Sequence, residues 1–126
     1  MDRAGTRVAA GRGSAYDLYL TRELKAATLV RAPTSQAVTD LFLAQDLDVA
    51  TGVKQQMEAD AKRVGSVRLL PGRFMVIEQA MGLPATRGEP ARLALARFVE
   101  WAKSGGLVAR SLDKHCIVGA LVAPAA

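Results

Sequence analysis

Residues 6–24 read TRVAAGRGSAYDLYLTREL, and the order of residue types within this stretch decides the fold. Thr6–Ala10 is short, β-compatible and bounded by glycines, as suits a buried strand. Gly11-Arg12-Gly13 then breaks the extended pattern, and Ser14 stands where a helix N-cap belongs. Its hydroxyl is placed to accept from the amide of Asp17, while the Asp17 carboxylate reaches back in the manner of a capping box. Leu18, Leu20 and Leu24 supply apolar surface to a helix running to about Ala26. Strand, glycine turn and capped helix form a unit, and the question is whether it recurs.

It does. TLVRA at 28–32 is a second short strand, stopped by Pro33, which cannot donate to a central ladder. Thr34 or Ser35 caps a following helix in which Val38, Leu41 and Phe42 fall on one stripe. LDVAT at 47–51 is a third strand punctuated by Gly52, and the polar helix VKQQMEADAKR follows, with Val53, Met57 and Ala61 on its covered side. Three strand–helix units in succession predict an α/β fold, a parallel-type sheet with flanking helices, because parallel neighbours need a crossover and a helix makes the compact one. Ligands in such sheets collect at the carboxyl ends of the strands, where the Gly-Arg-Gly-Ser turn sits.

Beyond Ser66 the rhythm changes. VRLLPGRFMVIEQAMG at 67–82 reads as extended apolar chain broken by a Pro71-Gly72 turn, and a loop with Pro84, Gly88 and Pro90 leads to a helix carrying Leu95, Phe98, Val99 and Ala102 at helical spacing. Gly105-Gly106 ends it, a short helix LVARSLDKH follows, and the chain closes on the apolar tail CIVGALVAPAA. The expected organisation is a single domain, 1–126, with its α/β core in 1–73 and a return segment with C-terminal helices in 74–126.

Half of the residues are hydrophobic, so disorder is not expected, and the formal net charge is +5. Arg3, Arg7, Arg12 and Arg22 are spread through the first segment and Arg87, Arg92, Arg97, Lys103, Arg110 and Lys114 through the last. No tight basic cluster is interleaved with aromatics, which argues against nucleic acid as a partner. No apolar run reaches transmembrane length, and the first residues lack the apolar core of a secretory signal, which read alone places the chain in the cytoplasm. The single cysteine, Cys116, has no partner for a disulfide and no neighbours for a metal site; a small buried hydrophobe is the expectation.

Catalytic inventory is thin. His115, the one histidine, lies between Lys114 and Cys116 with no relay partner placed by sequence. Asp46 and Asp48 share a face if they lie on a strand, yet no third ligand is near and calcium loops are richer in oxygen donors. Asp40 and Glu58 read as exposed helix charges. The expectation is therefore a protein that is not an enzyme and uses no cofactor and no metal. What the chain does offer is the turn before the first helix, where unpaired amides, a hydroxyl and the positive helix end meet at one point, a combination suited to an anion. The turn falls short of the dinucleotide fingerprint and of the phosphate loop, since no lysine follows the glycines. A carboxylate fits as well as a phosphate.

The succession VAAGRGSAYDLYLTREL, LDVATGVKQQ, RFMVIEQAMGLP and FVEWAKSGGLVARSL resembles the second lobe and C-terminal return of type II periplasmic solute-binding proteins, the family 3 kind that serve ABC importers. The resemblance extends over almost the whole chain. It implies one lobe of a two-lobed clamp in which Gly13, Ser14 and Ala15 hold a ligand's carboxylate, the solute touching Gly13 to Tyr16 and the Thr51-Gly52 end of the third strand. Amino-acid binders of that kind usually carry an aspartate after this strand to meet the ammonium, whereas this sequence has Thr51, Gly52 and Val53, which favours an uncharged or purely anionic solute. The family's first lobe is not in this sequence, and its C-terminal elements normally pack on that lobe. Phe98, Val99, Trp101, Leu107 and Val108 would then lie bare, so self-association is expected, with exchange of the C-terminal segment between protomers as one route. By the same resemblance the partners are a small solute and an ABC permease and the location is the periplasm. A LysR-type regulator's effector domain shares the two-lobed fold and is the alternative, as is a folded remnant that binds nothing; an enzyme acting on a phosphorylated substrate ranks last for want of a general base.

Overall fold

The computed structural model describes residues 1–126. Three strands, β1 (Arg7–Gly11), β2 (Thr28–Ala32) and β3 (Val49–Ala50), alternate with helices α1 (Ala15–Glu23), α2 (Val38–Ala44) and α3 (Lys54–Val64). The strands form one parallel sheet in the order β2-β1-β3, with Ala9 opposite Val30 on one side and Ala50 on the other. From β1 the chain steps to one edge and then crosses back to the other, so right-handed crossovers put α1 and α2 on opposite faces.

The side chains agree with that assignment. Ala9, Ala32, Val38 and Leu47 form one buried cluster, joined by Val30, Leu41, Phe42 and Ala50. The strand residues among them share a face by alternation and by register. On the other face lie Val8, Ala10 and Arg31, and Arg31 reaches Asp17 and Thr21 of α1. The central strand is buried on both faces, and its Ala9-Ala10-Gly11 run is small enough for helices to approach closely. At Gly11 the loop before α2 comes close as well: a Cβ there would stand 2.8 Å from the Ser35 backbone.

Several boundaries differ from the sequence reading. The first helix ends at Glu23 rather than near Ala26, because Leu24 turns extended and the amides of Lys25, Ala26 and Ala27 all donate to the Asp2 carboxylate at 2.8–2.9 Å. Neither Thr34 nor Ser35 is the N-cap of α2; Ala37 holds that position, and Thr34 Oγ1 accepts from the Ala37 amide one turn earlier. The third strand is only two residues long, since Asp46 takes a left-handed turn and the Asp48 carboxylate turns to accept from the Arg7 amide at 2.7 Å. Asp46 and Asp48 therefore do not form a shared strand face. Leu18 and Val53 are exposed and Leu24 is half-buried, so Tyr16 and Leu20 carry the apolar burial of α1 and Met57 that of α3. α3 stops at Gly65, whose φ of +74° is the left-handed C-cap that glycine adopts without strain.

The chain divides into two compact units, Met1–Val76 and Ile77–Ala126. The first ends in an irregular stretch from Ser66 in which Phe74 meets Tyr19 at a centroid distance of 5.9 Å. The second holds a 3₁₀ turn (Ala85–Arg87), α4 (Gly88–Ser104) and α5 (Leu107–Lys114), with Ala102 its one buried residue. Its tail is tied to α4 by Lys103 Nζ donating to the Pro124 carbonyl and the Ala126 amide to Glu100. Cys116 is exposed, contrary to expectation: it sits in the turn that closes α5, φ +53°, with no core above it. No helix is long and apolar enough to cross a membrane.

Candidate anion site at the carboxyl end of the sheet

In the order β2-β1-β3 the chain leaves β1 toward one neighbour and returns on its other side, so the carboxyl ends of β1 and β3 flank the switch point where α/β sheets leave a crevice. The loop after β1 brings Gly13, Ser14, Ala15 and Tyr16 there, and the residues after β3 bring Thr51 and Gly52. The sheet thus gathers the two sequence segments singled out as candidates. Within them the side chains and amides have different fates.

Ser14 caps α1, its Oγ accepting from the Asp17 amide at 3.1 Å. The return bond of the capping box goes one residue further back than expected. Asp17 Oδ2 accepts from the Gly13 amide at 2.8 Å, because the Ser14 amide is already bonded to the Gly11 carbonyl. Two amides of the turn are therefore spent on the chain's own groups, along with that of Arg12, which donates to Ala32. The amides of Ala15 and Tyr16, the first two of the helix, have no partner within the protein, and the Ser14 hydroxyl still has its proton to donate. These three donors are what an incoming anion would meet.

Asp17 itself is 4% exposed and fully engaged. Its Oδ1 accepts from Arg31 Nε at 2.9 Å, and Arg31 also donates to Thr21 Oγ1. The pair neutralises a carboxylate that would otherwise oppose an anion at the helix end. Arg31 escaped sequence reading; the signal was an arginine inside the otherwise apolar strand TLVRA, on the face that must meet α1. Arg12, expected at the surface, is exposed in the turn, and its side chain makes no ion pair or hydrogen bond inside the protein.

Gly13 has φ +72° and nothing within 4 Å of the position a Cβ would take, so its outer side is open to a ligand. Across the crevice the geometry closes. Thr51 is buried and gives both its amide and its hydroxyl to the Ala9 carbonyl, at 3.0 and 2.7 Å. Gly52 lies under Met57, whose Cε would be 2.7 Å from a Cβ there. Tyr16 is buried too, its hydroxyl without a hydrogen-bond partner.

Elsewhere the chemistry is sparse. No three His, Cys, Asp or Glu side chains come together, and His115 is exposed at the end of α5. A shallow cavity of about 180 Å³ lies between α4 and the tail, walled by the paired Glu100 and Lys103 with Ser104, Val122 and Ala123. Compared with known proteins, the chain matches no family model and finds no significant match among curated proteins or solved structures.

Proposed function

We propose that this chain is a solute-binding lobe that holds a small carboxylate-bearing or polar solute without catalysis, as part of an ABC-type uptake system acting in the periplasm. The observation that carries the reading is the pair of unpartnered amides at Ala15 and Tyr16, beside the Ser14 hydroxyl, at the switch point of a parallel sheet. Free amides at a helix start with an open glycine next to them favour a negative group. Arg12, exposed in the same turn, is a cation within side-chain length of the site. The sequence likeness to the second lobe and C-terminal return of type II solute-binding proteins supplies the rest: the permease partner, the periplasmic location, and the absence of chemistry beyond binding.

The ligand in this reading touches Gly13, Ser14, Ala15 and Tyr16 directly. Thr51 and Gly52 shape the far wall, since their polar groups and surface are taken by Ala9 and Met57. Residues 1–126 taken by themselves would give a solute about half of a two-lobed cleft's contacts while the loss of translational freedom is undiminished, so weak affinity is expected when they are titrated alone.

The test is amide NMR during titration with small carboxylates, zwitterionic amino acids and sulfate. Shifts confined to Ser14, Ala15, Tyr16 and their neighbours, saturating with a carboxylate, support the proposal. Absence of saturable shifts there, or shifts centred elsewhere, would overturn it. Ser14→Ala should remove the saturable shifts and cost about 0.5–2 kcal/mol of stability through the lost cap. Destabilisation with unchanged titration would make Ser14 a cap and nothing more.

A further inference from the structure

The Tyr16 hydroxyl is a buried side-chain polar group with no hydrogen-bond partner. Tyr16 is 3% exposed, and a hydroxyl shut off from water and bonded to nothing costs folding free energy. Its direction follows from the geometry of α1. Residues of a helix stand about 100° apart round the axis, so going round from Asp17 the side chains come in the order Leu20, Tyr16, Tyr19, at about 60°, 100° and 160°. Asp17 is drawn toward β2 by Arg31, Leu20 is fully buried, and the helix packs on β1 and β2. Tyr16 therefore lies on the flank toward β3. It is the second residue of the helix, and helical side chains lean toward the N-terminus. The phenol thus reaches past the first turn to the carboxyl end of the sheet, at the switch point between β1 and β3. Thr51, the polar side chain that β3 brings there, is already committed to Ala9. The orphan hydroxyl and the unpartnered amides of Ala15 and Tyr16 start from one turn of helix and face one end of the sheet.

We propose that the Tyr16 hydroxyl is a second polar contact for the solute, and that the solute is a hydroxy acid, its carboxylate on the two amides and its hydroxyl oxygen on the phenol. The inference rests on the solute-binding reading and narrows it. The second group is uncharged, because a phenol can donate or accept a hydrogen bond but cannot neutralise a charge taken out of water. An ammonium has no counter-charge to meet at this end of the helix, since both oxygens of Asp17 are spent, on Arg31 and on the Gly13 amide. The way in is past the next side chain round the helix, Tyr19, on which Phe74 packs. Phe74 belongs to a stretch with no helix or strand to hold it in place, and segments of that kind open at small cost.

The experiment titrates the full chain with butyrate and with its α-, β- and γ-hydroxy derivatives, followed at the Ala15 and Tyr16 amides by NMR, in the wild type and in Tyr16→Phe. In the wild type at least one hydroxybutyrate should saturate at a concentration about three- to tenfold below that of butyrate, the worth of one added neutral hydrogen bond. In Tyr16→Phe that ratio should fall to about one. The variant should also unfold at the same denaturant concentration as the wild type or a higher one, since it loses only a buried hydroxyl that bonds to nothing. A ratio near one for all three derivatives in the wild type, with butyrate itself saturating, overturns the hydroxy-acid inference and leaves the carboxylate reading standing. No saturable shift with any of the four overturns both. A ratio that survives Tyr16→Phe places the second contact elsewhere and overturns the inference. A variant that unfolds more readily, or does not fold, shows that the hydroxyl already has a partner, and overturns it as well.

Discussion

Asp17 governs what the turn after β1 can do. By taking the Gly13 amide and pairing with Arg31 it fixes the loop in its left-handed shape and removes one donor from the site, leaving the Ala15 and Tyr16 amides free. A carboxylate this buried is tolerable only because each oxygen has a partner. Gly11, two residues before Gly13, plays a packing role: its missing side chain is the space through which the Ser35 backbone passes. Gly11→Ala should destabilise the protein by about 1–3 kcal/mol, since backbone cannot move aside as a flexible side chain can; chemical denaturation measures it, and a neutral result would mean that the β2–α2 loop yields. By contrast Gly52 faces only the mobile end of Met57, and an alanine there asks less.

The helices of the first unit are held by different means. α1 is anchored by its cap and by Leu20, fully buried against the sheet. α3, whose sequence is mostly polar, is anchored by Met57 and by a polar set in which Thr39 of α2 donates to Asp60 at 2.8 Å while Arg63 bridges Asp60 and Asp40. The Thr39 hydroxyl, then Arg63, holds the Asp60 carboxyl below the ordinary aspartate value. A depressed carboxylate stabilises the fold at pH values above its unfolded pKa and loses that contribution as pH falls through its folded one. Thr39→Val should therefore lower stability at neutral pH by about 1 kcal/mol, and the gap to wild type should narrow as the solution is acidified below the aspartate range. A gap independent of pH would mean that Asp60 is not the group involved. The three strand–helix units were legible from periodicity and glycine punctuation, whereas their ends were not: where α1 stops depends on Asp2, distant in sequence, and the length of β3 on how Asp48 meets Arg7.

For the whole molecule, the contrast between the two units is the main physical fact. The first has a sheet covered on both faces; the second has helices with one buried side chain between them. The stretch from Ser66 to Pro84 forms no helix or strand and leaves Leu69, Leu70, Val76 and Met81 exposed. Limited trypsin digestion should cut first after Arg68 and Arg73, which lie exposed in that stretch, before cutting after Arg97 within α4; mass spectrometry of the earliest fragments checks the order, and early cleavage in α4 would contradict it. The sequence by itself determined the class of fold, a parallel sheet wound with helices, and the place of the capped turn, because both follow from local rules: period, glycine, proline and a cap at fixed spacing. Which amides of that turn remain free, which candidate residues are walled off by Met57 or Ala9, and how little of α4 is covered were decided only in the tertiary structure. Thr51 on Ala9 and the Arg12 amide on Ala32 are contacts between residues far apart in the chain; Gly13 on Asp17 and Gly52 under Met57 are near in sequence, yet residue type alone does not say which of several donors and acceptors within reach will pair.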